Sequence, residues 1–140
     1  MSSVHGIPYS QLPGITSKIA LAPLAPVTLF HDIYEFSGFA LVDSGSSGAV
    51  ISTIIAERLG IPWKKIPILE GYSVGGTFRS HRVENLKVEI FGHSFQLSVS
   101  VVEVLSPYRF ILGQADLFHQ AKITFEEYKK QFTLEFRKFN

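Results

Sequence analysis

The residues most able to do chemistry lie in one short string, Asp43-Ser44-Gly45-Ser46-Ser47-Gly48, preceded by the apolar run Phe39-Ala40-Leu41-Val42. The apolar run predicts a strand buried on both faces, which places a carboxyl group at the edge of a core. The glycine that follows lets backbone N–H groups come close to that carboxylate. One such carboxylate does not hydrolyse an amide alone. Two must share one proton, the first acting as base on water and the second as acid toward the substrate carbonyl. Asp43 heads the chain's single Asp-[Ser/Thr]-Gly, and the other aspartates, Asp32 and Asp116, lie outside such a loop. The second carboxylate must then come from a second chain. A two-fold dimer supplies it by bringing Asp43 against its own copy. Like charges that close hold one proton between them and titrate as a unit.

The elements that must position this string read as β-structure. Val27 to Phe36 is rich in Val, Thr, Ile, Tyr and Phe, and Ser37-Gly38 is a turn signal. After the polar string one helix is expected, capped by Ser52 or Thr53, with Ile54, Ile55 and Leu59 as its apolar face and Gly60 just past its end. Leu69 to Val74 leads into Gly75-Gly76, a hairpin tip. Leu86, Val88 and Ile90, then Phe95, Leu97, Val99 and Val101, alternate with other residues around Gly92-His93, which predicts a hairpin with one buried face. Phe110-Ile111-Leu112-Gly113 is a second apolar run ending in glycine. Ile123 and Phe125, then Phe132, Leu134 and Phe136, flank the polar Glu126 to Lys130 and predict a closing hairpin. Residues 1–26, with Pro8, Pro13, Pro23 and Pro26, read as an extension in which Ile15 to Leu21 has room for a short strand. Residues 27–140 read as one domain.

Three of these features resemble the retropepsin-like, or retroviral-type, aspartic peptidases, more their stand-alone cellular members than the viral ones. They are the run from Phe39 into Asp43-Ser44-Gly45-Ser46-Ser47, the run Phe110-Ile111-Leu112-Gly113 with its glycine 70 residues beyond Asp43, and the glycine-bearing hairpin at Val74-Gly75-Gly76-Thr77. The resemblance covers about Val27 to Phe136. It implies a mostly-β fold, half of an acid-protease barrel with one or two short helices, whose active site a homodimer completes. Asp43 of each chain would hold the lytic water, Ser44 would hydrogen-bond across the dimer, and the Gly45 carbonyl would receive substrate backbone. Ser46, Ser47, Ile111 and the flap residues Val74, Gly75, Gly76 and Thr77 would line the path of an extended peptide or unfolded protein bound as an added strand. Flap closure would exclude water. The implied activity is an aspartic endopeptidase that uses neither cofactor nor metal. Viral relatives often carry an acidic residue where this chain has Ser47, and Arg where it has Gln114. Both partners of that pair are missing together, so no charge is left orphaned. The rival reading is a catalytically silent dimer that binds peptides or assembles with a partner through the same groove. In a third reading the chain is a peptidase active only after residues 1–26, lying across the groove, are removed or displaced.

Composition narrows the alternatives. Hydrophobic residues make up 46% of the 140 and charged residues 18%, which is globular rather than disordered. The net charge of +1 offers no basic excess for nucleic acid or an anionic membrane. The chain has no cysteine, which excludes disulfides, zinc–thiolate sites and thiol nucleophiles. The apolar stretch Ile19 to Phe30 is broken by prolines and too short to span a bilayer, and the first residues lack a signal-peptide pattern. A soluble, cytoplasmic protein is expected. Gly45-Ser46-Ser47-Gly48-Ala49 fails the last position of a nucleophile elbow, and Gly71, Gly75 and Gly76 do not form a phosphate loop. The five histidines have no metal-ligand spacing. Asp116 reads as a helix cap, Trp63 as packing, and Lys129-Lys130 as a solvated turn.

Overall fold

The computed structural model describes residues 4–12, 21–73, 76–103 and 109–138. Its strands, in chain order, are β1 (Val4–Pro8), β2 (Ser10–Gln11), β3 (Leu21–Ala22), β4 (Leu24–His31), β5 (Tyr34–Val42) and β6 (Ala49–Ser52), then β7 (Ile68–Ser73), β8 (Gly76–Ile90), β9 (His93–Val102), β10 (Phe110–Leu112), β11 (Ala121–Glu126) and β12 (Gln131–Phe136). Helix α1 (Thr53–Arg58) follows β6 and helix α2 (Leu117–Gln120) follows β10.

Seven strands form one sheet in the order β4-β5-β10-β6-β9-β8-β7, and β4 also pairs with β8, which closes the sheet into a barrel. Strand β8 is shared along its length. Its first residues pair with β7, and Ser80–Ile90 pair with β9. The register slips between Val83 and Leu86, where Asn85 takes φ +60° and the strand bends into the barrel. The alternation predicted for the β8–β9 hairpin holds. Leu86, Val88, Ile90, Leu97, Val99 and Val101 are buried, and the turn is Phe91-Gly92, both at positive φ. A second sheet, β1-β12-β11, packs Ile7, Phe132, Leu134 and Phe136 into the same core. Each such side chain contributes on the order of 1.5–3 kcal/mol by leaving water.

Helix α1 starts as expected. Ser52 caps it by accepting from the Ile55 N–H at 3.3 Å, and Gly60 at φ +66° follows its end. Ile55, Ala56 and Leu59 turn inward, but Ile54 is 40% exposed, because a six-residue helix presents only a narrow stripe to the core. The turn expected at Ser37-Gly38 is instead at Asp32-Ile33, where Asp32 takes φ 54°. Ser37 and Gly38 lie within β5, and the glycine makes room for the Phe36 ring, 2.9 Å from where a Cβ would stand. Strand β5 is not buried on both faces. Ala40 and Val42 face the core, whereas Phe39 is 54% exposed, as a barrel wall with one interior side requires.

The expected boundary at residue 26 falls inside β4, whose Leu24 and Ala25 are buried. Upstream of it, Val4–Pro8 pairs in full register with Glu135–Gln131 of β12. Leu21-Ala22 pairs with Ser10-Gln11. The rest of the strand anticipated over Ile15 to Leu21 lies outside the described residues.

Candidate active site

Strand β10 holds the key position. It lies between β5, which it joins in parallel (Ile111 with Leu41, Leu112 with Val42), and β6, which it joins antiparallel (Ile111 with Val50, Phe110 with Ile51). The loop from Asp43 to Gly48 connects β5 to β6 and therefore spans the end of β10. The chain leaving β10 passes beneath that loop, which explains Gly113. A Cβ there would stand 2.5 Å from the Ser46 carbonyl oxygen and 3.0 Å from the Gly48 nitrogen and oxygen.

The loop is held from within and from below. The Asp43 N–H donates to the Leu112 carbonyl at 3.0 Å, continuing the β5–β10 ladder by one bond. Asp43 Oδ1 accepts the Gly45 N–H at 2.9 Å, and the Ser46 N–H donates to the Asp43 carbonyl at 3.2 Å. The carboxylate is half-buried, with its oxygen fixed by its own loop. Ser46 Oγ donates to the Gly48 carbonyl at 2.7 Å. From below, the N–H groups of Gln114 and Ala115 donate to the Ser46 and Ser47 carbonyls, both at 2.9 Å. The Gln114 side chain donates through Nε2 to the Ser44 carbonyl at 2.6 Å.

Asp116 completes the brace. It is 4% exposed, and its Oδ1 accepts from Gly113 N–H at 2.9 Å and Leu117 N–H at 2.7 Å, so it both caps α2 and fixes the turn under the loop. Burial pushes its carboxyl above the usual aspartate value. The amides of Leu117, Gly113 and Ala49 and the nearby His119 pull the other way. Its Oδ2 makes no hydrogen bond of ordinary geometry among the described residues.

Of the residues singled out in the sequence, Asp43, Ser44, Gly45, Ser46 and Ser47 form this loop, and Ile111 lies in β10, the strand between the two that the loop connects. Gly76, at φ +118°, and Thr77 open β8 in the β7–β8 hairpin, where Ser73 pairs with Gly76 and Tyr72 with Thr77. Val74 and Gly75, at the expected tip, lie outside the described residues. That hairpin is anchored at its base by His81, buried at 3% exposure, whose Nδ1–H donates to the Ile66 carbonyl at 2.8 Å and whose Nε2 lies 3.2 Å from Glu103. Gln114 is legible in the sequence only as a departure from the viral pattern and Asp116 only as a cap. Their places one and three residues after Gly113 are the available signal that both reach the loop.

No protein-family model and no curated protein sequence matches the chain. Solved structures do. A retropepsin-like aspartic protease from Rickettsia conorii superposes with a TM-score of 0.68 at 14% identity, covering 96% of this chain and 100% of that one. EIAV protease, complexed with an inhibitor, superposes with a TM-score of 0.54 at 18% identity, covering 75% of this chain and 93% of that one. The chain has a retropepsin-like fold, the half-barrel architecture of aspartic proteases. Among the described residues no helix is long and apolar enough to cross a membrane.

Proposed function

We propose that this chain is an aspartic endopeptidase that works as a homodimer, hydrolysing internal peptide bonds with a water held between Asp43 and the Asp43 of a second copy. The observation that carries this is the fixed carboxylate. Asp43 sits at the end of a barrel strand in a loop whose amides orient one of its oxygens and whose carbonyls are bound by Gln114 and Ala115. A carboxylate held this way needs no reorganisation when charge develops at the substrate. The shared fold of two aspartic proteases supports the same reading.

In the proposed reaction one Asp43 takes a proton from water while the protonated one donates to the scissile carbonyl. The first then gives its proton to the leaving nitrogen as the second recovers one from the gem-diol, so the C–N bond breaks, the amine departs and the pair again holds one proton. Ser44, which is exposed, is available to hydrogen-bond across the dimer, and the β7–β8 hairpin serves as the flap. The substrate is an extended polypeptide taken up as an added strand. Cleavage of unstructured polypeptides between pH 4 and 7 tests this. The parent should cleave, and Asp43→Asn should sediment as the same dimer with cleavage lowered by at least about a thousandfold. Equal cleavage by Asp43→Asn would refute the mechanism. A parent that binds peptides yet cuts none would make the groove a binding module instead.

A further inference from the structure

The chain that leaves β10 binds the carbonyls of Ser44, Ser46 and Ser47 in two ways. Those of Ser46 and Ser47 accept from the backbone N–H groups of Gln114 and Ala115, both at 2.9 Å, a bond that any residue but proline would supply. That of Ser44 accepts from a side chain, Gln114 Nε2, at 2.6 Å. The Ser44 carbonyl is one end of a peptide unit whose other end is the Gly45 N–H. That N–H donates to Asp43 Oδ1 at 2.9 Å. The unit is planar and trans, so its two polar ends point in opposite directions. One peptide therefore lies between the Gln114 carboxamide and the Asp43 carboxylate, bonded to both. Gly45 lets the carboxylate come this close, since a Cβ there would stand 3.2 Å from Oδ1.

We propose that Gln114 is a positioning residue that sets the Asp43 carboxylate through the Ser44–Gly45 peptide. This rests on the peptidase reading for the role of Asp43. Donation to the Ser44 carbonyl fixes the plane of the peptide, and with it the direction in which the Gly45 N–H points. It also draws electron density toward the carbonyl oxygen, which makes the N–H a stronger donor to the carboxylate. A donor to the ionised form of a carboxyl group favours that form. Oδ1 is thereby the held oxygen, and Oδ2 is left to work on the water. The requirement at position 114 is then a hydrogen-bond donor of sufficient reach rather than a particular shape, because the Gln114 side chain is exposed and fills no place in the core.

Two variants separate the donor from the shape. Gln114→Met keeps a side chain of similar length without a donor, and Gln114→Lys keeps a donor on a different shape. Both leave the backbone amide at this position in place. In the full-length chain, isotope-labelled for NMR, Gln114→Met should move the Gly45 amide proton upfield and speed its exchange about tenfold, while the Ala115 amide, bonded to Ser47, stays as it was. Gln114→Lys should restore the Gly45 amide. Cleavage of an unstructured polypeptide is then measured at concentrations where sedimentation shows dimer. Gln114→Met should lower kcat about tenfold with KM changed by less than about twofold. Its pH–rate profile should lie about half a unit higher, since a carboxylate with a weaker donor keeps its proton to higher pH. Gln114→Lys should recover most of the lost kcat. A Gly45 amide that does not respond to Gln114→Met, a loss confined to KM, an unmoved pH profile, or full activity in Gln114→Met beside a failing Gln114→Lys would overturn the proposal. A parent that cleaves nothing would count against the peptidase reading, while the Gly45 amide still decides whether Gln114 governs the bond that holds Asp43.

Discussion

Gly113 and Asp116 hold the Asp43–Gly48 loop by opposite means, one by taking no space and the other by supplying an acceptor. A methyl group at Gly113 meets backbone on every near side, the Ser46 carbonyl at 2.5 Å and Gly48 at 3.0 Å, and backbone cannot swing away as a side-chain tip can. Gly113→Ala should therefore lower stability by about 2–3 kcal/mol in urea unfolding and, by displacing the loop, lower turnover by about a hundredfold. Gly6→Ala, which meets nothing within 4 Å, should change stability by less than about 0.5 kcal/mol. Asp116 gives a pH prediction. Burial raises its carboxyl in the folded state above its unfolded value, so between those two values the folded chain binds more protons than the unfolded one. Stability from this group is then greatest in acid and falls as pH rises through that window. Asp116→Asn removes the titration. The parent's urea midpoint, measured relative to that of Asp116→Asn, should fall as pH rises above the usual aspartate range and then level off. A relative midpoint that rises would reverse the assigned cause.

At the scale of elements, sequence pattern and pairing part company. Hairpins whose strands alternate about a glycine turn, such as β8–β9, are legible because period and turn chemistry agree. The turn at Asp32-Ile33 is not, because His31-Asp32-Ile33-Tyr34 contains no glycine while Ser37-Gly38 nearby does, and that glycine serves the Phe36 ring instead. The insertion of β10 between β5 and β6 is invisible to any local window, since it joins segments such as Ser44 and Gln114 that lie 70 residues apart. Asp43-Ser44-Gly45 and Ile111-Leu112-Gly113 are each readable as strings, but their meeting is a property of topology. The β7–β8 hairpin also depends on a distant residue. His81 binds the Ile66 carbonyl just ahead of β7, with Trp63 against its ring edge at 5.2 Å. His81→Ala strands that carbonyl and should cost about 1–3 kcal/mol. Amide exchange of Ile68–Ser73 should speed up accordingly while that of β5 and β10 stays slow. Uniform acceleration across the chain would mean that His81 supports the whole barrel rather than the hairpin.

At the scale of the whole molecule, one chain carries half of the proposed chemistry, and this has a numerical consequence that no single-chain mechanism shares. If catalysis needs Asp43 from both chains, an Asp43→Asn protomer inactivates every dimer it enters. Parent and Asp43→Asn chains differ by one isosteric side chain, so they should assort at random when mixed, unfolded and refolded together. An equal mixture then contains about one quarter parent homodimer, and its activity should be about one quarter that of the same total amount of parent. Were each chain to act alone, the mixture would retain about one half. Dilution gives the companion measurement. Specific activity should fall with the fraction of dimer seen by sedimentation, because dissociation separates the two carboxylates. A mixture that keeps half its activity, or a specific activity that holds steady while the dimer dissociates, would place the complete site within a single chain.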